Sequence, residues 1–154
     1  MSERYVLPSI EQLLTLSQPH RQAITIYAAT SPEDREHSRL AVKSSVDEAL
    51  RGLRESGICH AAEQELRRRW AAYDDSSLWG RLSSSVVLLL ADDVDELFVL
   101  PNEFDDRLQV GSHFDLSQLV RAVTTPQEAF ALTLSQQGWT CGTRQRPTAL
   151  RRCR

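Results

Sequence analysis

The sequence predicts an α/β domain: a mixed sheet of about four strands with two long helices packed on it. Three observations carry that expectation. Val86, Val87, Leu88, Leu89 and Leu90 form an unbroken apolar run between turn residues, the pattern of a strand buried on both faces. Ala23–Ala28 is rich in β-branched residues and leads into Ser31-Pro32-Glu33-Asp34, which reads as a helix start. Between these strands, apolar residues recur at helical spacing.

Taken in order, Pro8 opens a short helix over Ser9–Ser17, with Ile10, Leu13, Leu14 and Leu16 on its apolar side. Pro19 and His20 break it. Strand Ala23–Ala28 follows. Ser31 as N-cap, Pro32 at the first helical position and two acids in the first turn start a long helix running to about Ser56. Its buried stripe is Val42, Val46, Ala49, Leu50 and Leu53, and Gly57 is placed to cap its end. A second helix over Ala61–Tyr73 buries Ala62, Leu66, Trp70 and Tyr73, with Arg67, Arg68 and Arg69 on a solvated face. Asp92 and Asp93 turn the chain into a strand of Leu97, Phe98, Val99 and Leu100, which Pro101 stops. Leu108–Val110 is a third, short strand of this group, ending at Gly111. Asp115 caps a short helix with Leu116, Leu119, Val120 and Val123 inward. The expected core is Ile24, Ile26, Val46, Leu50, Leu53, Leu66, Trp70, Val87, Leu89, Phe98 and Leu100.

This gives an N-terminal α/β domain over residues 1–125. Residues 126–140 hold the first strand of a truncated following domain, Ala129–Ser135, in which Phe130, Leu132 and Leu134 alternate. From Cys141 onward, CGTRQRPTALRRCR has no apolar period and no acid. Two readings of residues 141–154 stand open: a disordered basic tail that contacts RNA, or an altered reading frame replacing the natural continuation.

The 154 residues leave room for one domain and a fragment of a second. Hydrophobic content of 41% with 25% charged residues is that of a soluble globular chain. No apolar run approaches the roughly 18 residues of a membrane span. MSERYVLPSIEQ lacks the apolar core of a signal peptide, so a cytoplasmic location is expected. Five of the 18 basic residues lie in residues 141–154; the preceding 140 residues hold 13 basic and 21 acidic groups, a net charge of −8. An acidic body argues against a broad nucleic-acid-binding face. Cys59, Cys141 and Cys153 fit neither a disulfide framework nor a zinc pattern and read as free thiols.

The residues that carry chemistry do not assemble into a recognisable set. His20, His37, His60 and His113 are scattered, without the spacing of a helix-borne metal pair. Cys59 and His60 are adjacent, so their side chains diverge. Asp92, Asp93, Asp95 and Glu96 form an acidic hairpin turn; clustered carboxylates can hold a divalent cation, but a calcium loop needs a central glycine, and a solvated turn is the favoured reading. Glu103, Asp105 and Asp106 read likewise. Ser112, His113 and Asp115 are too close in sequence for a catalytic triad, and no G-x-S-x-G turn or phosphate-cradling glycine loop exists. The sequence therefore assigns no catalytic, cofactor-binding or metal-ligating residue and calls for no cofactor.

Several segments, taken in order, resemble one family. AITIYAATSPED is similar to its opening strand and helix start. VVLLLADDVDELFVLPNEFDDRLQVGSHFDLSQLV is similar to its hairpin, Leu-Pro corner and G-x-x-F-x-L-x-x-L segment. FALTLSQQGW is similar to the strand that follows. The family is the bacterial relatives of the archaeo-eukaryotic peptide-chain release factor and Pelota, and the similarity covers about residues 5–139. The resemblance implies an N-terminal α/β domain followed by a ribonuclease-H-like middle domain and a ribosome-contacting domain. The Gly-Gly-Gln loop for peptidyl-tRNA hydrolysis would lie beyond these residues, since Gln136-Gln137-Gly138 is not that motif. The Asn-Ile-Lys-Ser decoding motif is also absent, because Asn102 is the only asparagine. The function implied is a non-catalytic N-terminal module acting in translation termination or ribosome rescue, whose full-length parent contacts ribosome and tRNA. A stand-alone protein-interaction domain is the alternative. The acidic body favours a protein partner over bare RNA, and an open sheet edge invites self-association.

Overall fold

A computed structural model of the chain describes the backbone of residues 2–74, 77–125, 128–135, 138–145 and 151–152. It divides into two units, residues 1–122 and 123–154.

In the first unit, strands β1 (Ser2–Arg4), β2 (Ala23–Ala29), β3 (Ser85–Ala91), β4 (Asp95–Leu100) and β5 (Arg107–Gly111) form one sheet in the order β1-β4-β3-β2-β5. Strand β3 is central. It pairs antiparallel with β2 and β4, while β1 lies parallel to β4 and makes the sheet mixed. All seven residues of β3 are buried, as its apolar run predicts. The sheet has five strands rather than four. Ser2–Arg4 carries no apolar signal, and its edge position is held by Arg4, which donates to the Glu96 carboxylate from Nε at 2.9 Å and Nη2 at 3.0 Å.

Alternation divides the strand residues between two faces. Ile24, Ile26 and Ala28 of β2, Val86, Leu88 and Leu90 of β3, and Leu97 and Val99 of β4 join one cluster. The cluster is completed by Val42, Val46, Ala49, Leu50 and Leu53 of helix α2 (Arg35–Glu55) and Leu66, Trp70 and Tyr73 of α3 (His60–Asp74). Trp79, in the 3-10 turn Ser77–Arg81, packs edge-on against Trp70 with ring centroids 6.3 Å apart and donates its Nε1–H to the Tyr73 carbonyl. The opposite face carries Thr25, Tyr27, Val87, Leu89, Phe98 and Leu100. There, Tyr27 meets Phe104 edge-on with centroids 5.5 Å apart and donates its hydroxyl to the Asp115 carbonyl at 2.7 Å. Burial pushes the Tyr27 phenol above its usual pKa. The eleven expected core residues are all buried, divided between these faces.

The helix ends show which local signals prevail. Helix α2 starts at Arg35, three residues later than Ser31-Pro32 suggests. Asp34 is its N-cap and accepts from the His37 amide at 3.2 Å. Ser31 instead accepts from the Glu33 amide in a tight local turn, and its own amide donates to Ser38 Oγ. At the other end, Ile58 N–H reaches the Leu53 carbonyl and Gly57 N–H reaches the Arg54 carbonyl, a Schellman motif. Gly57 sits at φ +86°, where a Cβ is strained. The reversal lays α3 back along α2, with Arg39 and Lys43 on Asp74 at one end and Arg54 on Glu63 at the other.

Three helix faces differ from expectation. In α1 (Ile10–Leu16), Leu13 and Leu16 are buried, but Ile10 and Leu14 are 64% and 63% exposed. In α4 (Ser117–Thr124), Val120 is exposed, Leu116 and Val123 are half-buried, and Gln118 is buried. Gln118 goes inward because its amide spans the Asp105 backbone, accepting from N–H and donating to C=O at 2.9 Å each. In α3, Ala62 is half-buried and Glu63 is buried beside it.

The second unit contains an antiparallel sheet of β6 (Glu128–Ser135), β7 (Gly138–Gln145) and β8 (Arg151–Arg152). Strand β6 falls where its alternation places it. Residues 141–145, expected in an irregular tail, are instead the second half of β7, paired from Cys141↔Leu132 to Gln145↔Glu128. Backbone pairing to an alternating partner strand substitutes for the apolar period these residues lack. Residues 146–150 and 153–154 of the expected tail lie outside the described residues.

Leu89 is fully buried at the sheet centre, opposite Thr25 and Glu96. Leu89→Ala will cost about 2–5 kcal/mol in a denaturant melt; a loss below about 0.5 kcal/mol contradicts a central β3. Glu63 supplies a pH-dependent prediction. The Arg54 hydrogen bond, with Arg67 assisting, outweighs burial and holds its carboxyl at about 2 rather than 4.5. A depressed folded pKa stabilises above the ordinary value, and that stabilisation is lost as pH falls from 4.5 towards about 2. Glu63→Gln will therefore be less stable than the parent at neutral pH, and the gap will close across that acid window in paired melts.

Candidate functional site

Strand register gathers the polar loops at one end of the sheet. Ala23, the first residue of β2, lies opposite Ala91, the last of β3, and Gly111, the last of β5. The segment before β2, the turn after β3 and the loop after β5 therefore converge. His20, Asp92, Asp93, Ser112 and His113 all stand there.

His20 is held from several sides. Its amide donates to the Ser112 carbonyl at 2.8 Å, and its ring rests on Phe114 with centroids 4.7 Å apart. The side chain is only 3% exposed, and Nδ1 lies 2.7 Å from Asp93 Oδ1. Desolvation works against the charge on Asp93, but the contacts with His20 prevail and hold its carboxyl below the usual range. The Ala91 amide closes the turn onto the Val94 carbonyl at 2.7 Å, and Arg69 Nη2 donates to the Asp92 carbonyl at 2.8 Å.

The acidic hairpin is thus divided. Asp92 and Asp93 are exposed in the turn. Asp95 and Glu96 belong to β4, where Glu96 holds Arg4 and the Asp95 carbonyl accepts from the Tyr73 hydroxyl. Sequence inspection pairs the two aspartates but misses His20, because the third member comes from a segment about seventy residues away. Only the antiparallel register of β2 and β3 brings it near.

Beside the turn opens a cavity of about 350 Å³ lined by Arg21, Gln22, Gly57, Ile58, Cys59, Ala62, Glu65, Leu66 and Asp92. Its wall is formed where the α2 cap hands over to α3. Cys59 precedes the helix and its carbonyl accepts from the Ala62 and Glu63 amides. The thiol is free and exposed.

The remaining candidates stand apart. Ser112 Oγ and His113 Nδ1 are 3.0 Å apart at the surface, but the Asp115 carboxylate engages the Ser117 amide at 3.0 Å and Arg107 Nε at 2.9 Å. Asp115 orders the loop and starts α4. Arg67, Arg68 and Arg69 all pair with acids on their own helix: Arg67 with Glu63, the other two with Glu65. The Asp106 carboxylate accepts from the Ala29 amide and so serves the fold, while Asp105 meets Gln118 through its backbone. Cys141 and Cys153 lie where side chains are outside the description.

No family model and no curated protein matches the sequence. Among solved structures the chain is similar to one named "Archaeal protein", with a TM-score of 0.53 at 12% identity. The likeness takes in 98% of this chain and 45% of that one, so this chain spans under half of its neighbour's length. At that identity the likeness extends to the fold.

The cavity is testable through Ala62, a half-buried residue on its wall. Ala62→Leu will change unfolding free energy by less than about 1 kcal/mol, because the added atoms enter open space. A loss of about 1–3 kcal/mol is the signature of overpacking and would show the space to be closed.

Proposed function

We propose that this chain is a non-catalytic N-terminal module of a release-factor-like protein acting in translation termination or ribosome rescue. The observation that carries the reading is the order of its segments. Each stretch resembling that family coincides with one element or junction: AITIYAATSPED with β2 and the entry to α2, the VVLLLADDVDELFVLP stretch with the β3–β4 hairpin and its corner, GSHFDLSQL with the loop and first turn of α4, and FALTLSQQGW with β6 and the start of β7. An α/β unit followed by strands of a second unit is the layout the resemblance implies. In this reading the module positions its parent on the ribosome, in the cytoplasm. Among the described residues no helix is long and apolar enough to cross a membrane.

A stand-alone protein-interaction domain is the second reading. It is favoured by Tyr5, Val6, Ile10 and Leu14, apolar residues left exposed on the N-terminal segment and α1.

Co-sedimentation separates the two. The chain is expected to pellet with ribosomes carrying peptidyl-tRNA and to release no peptide above the rate in buffer. Peptide release would overturn the non-catalytic assignment. Recovery of the chain in the supernatant, at low as well as physiological salt, would favour the second reading.

A further inference from the structure

We propose that His20, Asp92 and Asp93 form a binding site for a divalent first-row transition-metal ion at the lip of the cavity. One imidazole nitrogen and two carboxylate oxygens lie within 4.8 Å of one another. Ligands about 2.0–2.2 Å from a common ion span up to about 4.4 Å, so a small rotation of the exposed aspartates completes the set.

The histidine makes this more than an acidic turn. It arrives from a different segment, with its side chain 3% exposed and its Nδ1 aimed at the carboxylates. Its other nitrogen, Nε2, is buried without a hydrogen-bond partner. An imidazole resting on Phe114, carried by a backbone that the His20 amide anchors to the Ser112 carbonyl, is a preordered ligand with little entropy left to lose. The turn is fixed as well, through the Ala91–Val94 bond and Arg69 on the Asp92 carbonyl.

Charge points the same way. Two adjacent carboxylates repel, and the guanidinium beside them is already committed to Glu65 and a carbonyl. A dication neutralises the pair. One nitrogen and two oxygens suit zinc, manganese, cobalt or iron rather than calcium, which takes 6–8 oxygens. Three protein ligands leave positions for water, the pattern of an open site rather than a closed structural one. Asp92 also lines the cavity, so the ion stands where a molecule occupying that space meets it.

The test is titration of the full chain with Co²⁺, followed by visible absorption and by paramagnetic broadening of the histidine NMR signals. One ion is expected per chain, with no thiolate charge-transfer band and with His20 broadened first. Asp92→Asn and Asp93→Asn will each weaken binding at least about tenfold. The Asp92 side chain is exposed, so Asp92→Asn should keep the parent's melting profile, and Asp93→Asn retains an oxygen to meet His20 Nδ1. Cys59→Ser will bind as the parent does. Equal affinity in both asparagine variants, a thiolate band, or the absence of saturable binding up to about 1 mM overturns the proposal.

Discussion

The first unit is organised by the burial of strand β3. With every residue inside, it needs apolar cover on both faces and a hydrogen-bonding neighbour on both edges. Strands β2 and β4 supply the edges. The α2–α3 hairpin covers one face, and Phe104, Phe114 and α4 contribute buried residues outside that cluster. The polar contacts on the second face are consequences of this cover. Thr25 and Ser85, buried on the sheet, would be unsatisfied donors and acceptors unless the covering loops met them. The Asp115 amide donates to Thr25 Oγ1, and the Phe104 amide donates to Ser85 Oγ. The same loop atoms that hide apolar area therefore satisfy the sheet's side-chain oxygens, which ties the loop after β4 to the loop after β5.

The helical layer is held differently. Its apolar stripe is strong on α2, while α3 buries a glutamate among its inward residues. A buried carboxylate is tolerable only when fully paired. Arg54, from the end of α2, and Arg67, one turn on along α3, meet that condition together. Because Arg54 lies just before the Schellman turn at Gly57, the register of the two helices and the ionic pair are set by the same reversal. Much of the arginine on α3 serves this internal pairing, which leaves the basic triplet a poor phosphate-binding surface.

What was legible in the sequence follows the range of the interactions. Val86–Leu90, the α2 stripe and the Gly57 cap are local patterns, and each stands where it is expected. Strand β1 was illegible because its three polar residues are strand only through pairing with β4 and the Arg4–Glu96 contact. The α2 start was misread by three residues because Ser31 and Asp34 both offer capping oxygens, and only the packing of Ser38 selects between them. Ile10 and Leu14 look like core by composition, yet a two-turn helix has room to bury only one stripe, and Leu13 and Leu16 take it. The basic run from Cys141 concealed β7, since pairing with β6 needs no apolar period. The acidic pair of the candidate site was visible as residue types, but His20 joins it only after strand register is known.

That last point bears on what kind of function such a domain carries. The reactive side chains sit at the end of the sheet where β2 begins and β3 and β5 end. Most of them are already engaged in holding that end together: Asp115 holds the Ser117 amide at the start of α4, Glu96 fixes β1, and Arg69 braces the turn. A group committed to structure loses the freedom to change partners during a reaction, so these are poor candidates for chemistry. His20 and the two turn aspartates differ, because their shared contact holds no element boundary in place. The imidazole is buried at a cost that one exposed carboxylate offsets only in part, and its second nitrogen is left unsatisfied. Among the described residues two buried side-chain atoms lack a hydrogen bond, His20 Nε2 and Asp115 Oδ2; the second still meets Arg107, so the uncompensated polar cost rests on His20 and sets that end of the sheet apart.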